Sequence, residues 1–268
     1  MPRPALRFSL IVILLAVTVA VGASDMATDP GYPTMRRALV EKYRDSAPRE
    51  WGERVTGVKT RLATSERVIA LTFDACGSGK GMGLDTHLVS FLERERVPAT
   101  LFINARWIGP NRAAFDRLAA NPLFEIANHG LHHRPASVTG RAVYGIDGTR
   151  SVAELVDEIE LNARKIKALT GKRPRFFRSG TAYYDEVAVR VAADLGEEVA
   201  GFSLLGDAGA TFGPEQVKRA LLSASPGDII ILHMNHPESG TGAGVMEAIP
   251  ELKRRGFRFV RLSDFPLR

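Results

Sequence analysis

The chain has one cysteine, Cys76, in 268 residues, so no intrachain disulfide can form. A core of this size does without one. Internal repeats and low-complexity tracts are absent as well, which sets aside solenoids, arrays and fibrous chains. An apolar run of membrane-spanning length is also lacking. The run from Phe8 to Val21 falls short of the ~20 residues a spanning helix needs. Strong charge is missing too: 36 Lys and Arg against 30 Asp and Glu give +6, and Arg3 and Arg7 contribute two of that. So small a basic excess fits a solvated surface, and it would also favour an anionic polymer as partner.

At the amino end, Arg3 and Arg7 precede the apolar run, and Val21-Gly22-Ala23 supplies small residues before Ser24. This is the pattern of a secretory signal over residues 1–23, with a retained anchor as the alternative. The mature chain is expected to be exported, periplasmic or extracellular, with no stable membrane insertion after signal removal. Residues 24–65 read as a polar lead-in with a short helix from Thr34 to Arg44. The alternating stretch Arg54 to Leu62 and the run Arg67 to Phe73 read as paired strands.

A single domain, residues 66–268, follows. Apolar runs recur at Ala99–Ile103, Phe124–Ala127, Arg175–Phe177, Val199–Phe202, Ile229–Leu232 and Phe257–Leu262. Helical patterns lie between most of them. Ser151 to Leu169 is the clearest, with a capping box at Ser151 and Glu154 and a stop at Gly171. Others run from Asp185 to Leu195 and onward from Pro214. Strand–helix alternation predicts an α/β fold with a mainly parallel sheet of about seven strands, closed or nearly closed into a barrel.

The stretch VIALTFDACGSGKG, Val68 to Gly81, delivers Asp74 and Cys76 from a buried run into a glycine-rich turn. Ligands gather at the carboxyl ends of parallel strands. Asn128 and His129, Arg178, and His233 follow apolar runs in the same way. In NHGLHHR, the spacing of His129 and His133 suits two imidazoles on one cation, and His129 with His132 is an alternative. A histidine-rich surface loop would read the same.

Together these residues resemble the polysaccharide deacetylase family, the NodB-homology or family-four carbohydrate esterases. The family's Thr-Phe-Asp-Asp signature reads Thr72-Phe73-Asp74-Ala75, and its His-x-x-x-His signature spans His129 to His133. Its later arginine matches Arg178, its aspartate loop offers Asp207, and its closing Leu-His is Leu232-His233. The pieces cover Val68 to Leu262. The resemblance implies a deformed (β/α) barrel that hydrolyses N-acetyl groups of a glycan, with no nucleic-acid partner. It implies a divalent metal, usually zinc, held by His129, His133 and an aspartate, here Asp74. It also implies Asp74 as general base paired with Arg178, and His233 as general acid steered by Asp207.

Two departures stand out. Ala75 occupies the position of the family's second aspartate, a metal ligand. Asp74, a water or another group such as His236 would then fill in, or metal binding is lost; Cys76 reads as a small buried residue, with an inward thiolate as the alternative. Arg178-Ser179-Gly180-Thr181 replaces the family's Arg-Pro-Pro-Tyr, whose tyrosine amide helps the oxyanion. Tyr183, Tyr184 and the loop Ser137 to Arg150 are candidates for the sugar site. Rival functions are hydrolysis of another non-peptide C–N bond and silent glycan binding on the same fold.

Overall fold

A computed structural model describes residues 31–268 apart from positions 78 and 80. The expected signal segment therefore lies outside the described residues. In chain order the elements are α1 (Gly31–Lys42), β1 (Val68–Ala75), α2 (Thr86–Arg94), β2 (Ala99–Ile103), α3 (Ala105–Ile108), α4 (Arg112–Ala120) and β3 (Phe124–Asn128). Then come α5 (Val152–Thr170), β4 (Phe176–Phe177), α6 (Glu186–Asp194), β5 (Glu198–Val199), β6 (Leu204–Leu205), α7 (Pro214–Leu222), β7 (Ile229–His233), α8 (Thr241–Arg254) and β8 (Arg258–Val260).

The sheet order is β5-β4-β3-β2-β1-β7-β6, every pairing is parallel, and β8 joins β1 at Val68 to Ala70. The sheet curls into a deformed (β/α) barrel with helices outside, as strand–helix alternation predicts. β1 is central and buried along its whole length, as an apolar run bounded by turns should be in a parallel sheet.

The predicted hairpin of Arg54–Leu62 with Arg67–Phe73 does not form. Both edges of β1 are taken by parallel partners, so nothing is left for an antiparallel neighbour. Arg54–Leu62 instead makes single bridges, Lys59 to Ala200, Arg61 to Asp228 and Leu62 to Leu267. It straps the flank between β5 and β7, with Lys59 N–H donating to the Val199 carbonyl at 2.9 Å and Leu62 N–H to that of Gly227 at 2.8 Å.

Local signals set most helix ends. Ser151 Oγ accepts the Glu154 N–H at 3.2 Å and Gly171 closes α5 at φ 73°. Asp185 caps α6 by accepting the Ala188 N–H at 2.7 Å. Sequence pattern did not single out α2, α4 or α8. The last of these carries Pro250 inside it, a residue that reads as a breaker.

Strand alternation sets one part of the core outside the sheet and another inside it. Ile69, Leu71, Phe73 and Ala75 pack outward against α2 and α8, among Leu88, Val89 and Leu252. Val68, Ala70, Phe102, Ala127, Phe176 and Ile231 face inward together. Period-two alternation extends this inward set to the strand ends.

Candidate active site

Each candidate side chain continues the inward row of its strand. Asp74 follows Val68 and Ala70, His129 follows Ala127, Arg178 follows Phe176, and His233 follows Ile231. Asp74 and His233 are direct register partners. A cavity of about 570 Å³ opens at this rim, lined by Asp74, Cys76, His133, Thr181 and His233 among others. That volume suits a small ligand or a sugar unit.

Arg178 is fully buried and its Nη1 donates to Asp74 Oδ1 at 2.8 Å and to Thr72 Oγ1 at 2.9 Å. Its remaining donors go to the carbonyls of Ala200 at 3.0 Å and Gly201 at 2.8 Å. The guanidinium also stacks 4.1 Å from the Phe102 ring. A buried carboxylate bonded to a buried guanidinium in this way is held in one orientation. Asp74 Oδ2 remains free of Arg178 and lies 3.7 Å from His129 Nε2.

His129 Nδ1–H donates to the Arg178 carbonyl at 3.0 Å, which fixes the tautomer and leaves the Nε2 lone pair facing the site. Cys76 Sγ lies 3.7 Å from that Nε2. One donor atom each from Cys76, His129 and His133 lies within 4.8 Å of the others. His133 Nε2 is buried without a hydrogen-bond partner. An orphaned imidazole nitrogen among sulfur and nitrogen donors fits a thiophilic or borderline divalent cation. Cys76 is thus buried as expected, and of the two readings its sulfur takes the inward one. Two residues after Asp74, it returns to the inward face. Burial alone would raise the Cys76 thiol pKa, but His133, His129 and His233 outweigh it and hold the thiol well below its ordinary range. His129 is raised despite burial, through Asp74 and Cys76.

On the far side, His233 Nδ1–H donates to Asp207 Oδ1 at 3.0 Å. Asp207 also accepts the His233 backbone N–H at 2.7 Å and the Thr241 hydroxyl at 2.9 Å. Burial opposes charge on both groups, yet their mutual attraction lowers Asp207 and raises His233 well above the usual histidine range. Nδ1 being engaged, Nε2 is the nitrogen left to face the cavity.

The other candidates separate clearly. His132 is exposed and stands outside the donor group. His236 lines the cavity but pairs with Glu238 at 2.9 Å. Asn128 points outward, its Nδ2 donating to the Ile159 carbonyl and to Glu197 Oε2, both at 2.9 Å. Tyr184 is core. Tyr183 packs between Trp51 and Tyr144, with ring centroids 5.8 and 5.6 Å away. From the loop Ser137 to Arg150, Tyr144 and Ile146 reach the cavity wall. The Thr181 hydroxyl is buried there with no partner.

Sequence reasoning missed the groups that hold the histidine loop. Buried Glu158 accepts the His132 N–H at 2.9 Å and the Arg134 N–H at 3.2 Å. Asn104 Nδ2 donates to the carbonyls of His129 and Gly130 at 2.9 and 2.8 Å. His133 itself sits at φ 62°, a conformation that surrounding contacts must impose on a non-glycine residue. Glu158 is buried on α5 between Leu155 and Ile159, and a charged residue flanked by those apolar positions was the available signal.

Residues 61–200 match the family described as polysaccharide deacetylase. A peptidoglycan-N-acetylglucosamine deacetylase of Bacillus cereus is 27% identical over 214 residues, 78% of this chain and 93% of that protein. A family-four pseudoenzyme of Bacillus anthracis shares the fold with TM-score 0.65 and 19% identity, over 87% of this chain and 80% of its own. A family-four acetyl xylan esterase of Clostridium thermocellum, in complex with a cobalt ion, has TM-score 0.60 and 24% identity, over 74% and 89%. At such identities the solved structures speak for the fold alone.

Proposed function

The chain belongs to the polysaccharide deacetylase family, and from that membership we propose that it is an exported, metal-dependent hydrolase of N-acetyl groups on an amino-sugar polymer. The observation that carries this reading is the pairing of Asp74 with Arg178 and of His233 with Asp207 on one cavity rim. The two pairs divide the work as amide hydrolysis requires, one to take a proton and one to give it. A silent glycan-binding protein has no use for either.

His129 and His133 would hold a divalent cation, zinc first among candidates, which when bound supplies Lewis-acid polarisation of the acetyl carbonyl and activation of water. Asp74 Oδ2 accepts the proton of the attacking water, while Arg178 holds the carboxylate in place. The backbone N–H of Thr181, at the sequence position of the family's tyrosine, would serve the developing oxyanion. His233 Nε2 donates to the departing amine, and Asp207 keeps the ring turned toward it. Export rests on the Arg-flanked apolar run before Ser24. Among the described residues no helix is long and apolar enough to cross a membrane.

The test is acetate release from N-acetylglucosamine oligomers and from peptidoglycan by purified protein, before and after chelation. Chelator-sensitive release supports the reading. Binding of the oligomer without release, at any metal loading, would establish the silent glycan-binding alternative instead.

A further inference from the structure

Ala75 offers no donor and packs outward among the helix-side residues. We propose that Cys76 supplies the third ligand, so that Cys76, His129 and His133 form a Cys-His-His cation site. This rests on the cation reading given above and specifies its ligand set.

Three observations converge. First, alternation along β1 returns Cys76 to the face that carries Asp74, and its sulfur reaches the two imidazoles. Second, the 3.7 Å between Cys76 Sγ and His129 Nε2 matches two ligands on one tetrahedral ion. Zinc–sulfur and zinc–nitrogen bonds of about 2.3 and 2.0–2.1 Å at tetrahedral angles place those atoms about 3.6 Å apart. Third, His133 Nε2 is sealed from solvent with no hydrogen-bond partner in the protein, and a buried ring nitrogen of that kind calls for a ligand. His129 is already oriented for the same point by the Arg178 carbonyl.

Asp74 is then free of ligand duty. Its Oδ1 is committed to Arg178, and it is not part of the close donor group. With three protein ligands and a rim that opens to the cavity, the site keeps a position for water or substrate, the arrangement of catalytic rather than structural zinc. A thiolate makes it softer than two imidazoles and a carboxylate, favouring zinc and cobalt over manganese and magnesium. Ligation takes the thiolate, so a thiol that is protonated beforehand passes its proton to solvent as the ion binds.

The experiment titrates metal-free, reduced protein with Co²⁺ in the absence of oxygen and follows the near-ultraviolet sulfur-to-cobalt charge-transfer band. The parent should bind one equivalent with that band, and bound Zn²⁺ should protect Cys76 from a thiol reagent. Cys76→Ser should lose the band and bind at least the ~10–100-fold more weakly that even outer-shell losses cause. Cys76→Asp should lose the band while recovering affinity relative to Cys76→Ser, which separates ligand loss from misfolding. Stoichiometric Co²⁺ bound without the band, abolished by His133→Ala but untouched by Cys76→Ser, would overturn this proposal and leave the deacetylase reading standing. Failure of the parent to bind any divalent cation overturns both. A thioester on Cys76 of metal-free protein after incubation with substrate would identify a nucleophile and also overturn it.

Discussion

Gly180 lies directly against the backbone of His133. A Cβ added to Gly180 would overlap the His133 carbonyl group and stand 2.6 Å from its Cα. The loop after β4 and the histidine loop after β3 therefore close on each other only because position 180 has no side chain. The family's proline-rich stretch is replaced here by a residue that admits this approach.

Gly180→Ala should accordingly push His133 out of reach of the cation. Metal affinity should fall by roughly the 10–100-fold expected when a ligand loses its support, with the fold retained. Calorimetric Zn²⁺ titration alongside circular dichroism checks this. Unchanged affinity would show that the loop shifts without moving the imidazole.

Asp74→Asn should lower kcat by at least the ~10²-fold that loss of a general base causes. Zinc content should stay near that of the parent, because the ligand role falls to Cys76. Loss of metal together with rate would return Asp74 to the coordination sphere.

Asp207→Asn should lower kcat by about 10²-fold or more while changing KM little, since Asp207 orients the His233 ring rather than touching substrate. Steady-state kinetics on an N-acetylglucosamine oligomer read this. Equal effects on Asp207→Asn and on Thr241→Val, which keeps Asp207 itself, would mean that the hydroxyl contact and not the carboxylate charge matters.

Stability should depend on pH through Glu197. Burial pushes this carboxyl up to about 8, against the opposing pull of Arg173 and the Asn128 hydrogen bond. The folded chain then holds the proton more tightly than the unfolded one. Stability is full below the unfolded value of 4.5 and declines as pH rises toward about 8. The slope is about 1.4 kcal/mol per pH unit at most. Glu197→Gln should flatten this part of the profile in urea unfolding from pH 5 to 8. Parallel parent and variant curves would refute the assignment.

Part of the site was legible before any coordinates. The inward row was implicit in period-two alternation, since Asp74, His129, Arg178 and His233 each end a strand. The same rule applied two residues on would set Cys76 beside Asp74, but a glycine-rich turn follows at once and left its direction open. Glycine content signals a turn but not which way the residue entering it faces, and here Cys76, one residue past the end of β1, faces the histidines.

What the sequence determined by itself was the set of buried runs, their parallel arrangement, and the polar side chains at their carboxyl ends, because burial and periodicity are local properties. Tertiary structure alone decided which of His132 and His133 turns inward, through Glu158 holding the loop backbone and Gly180 admitting it. It alone sent Asn128 outward to Glu197 and moved Arg54–Leu62 from a hairpin to a strap. Each of those outcomes depends on partners tens of residues away, whose positions no local pattern encodes.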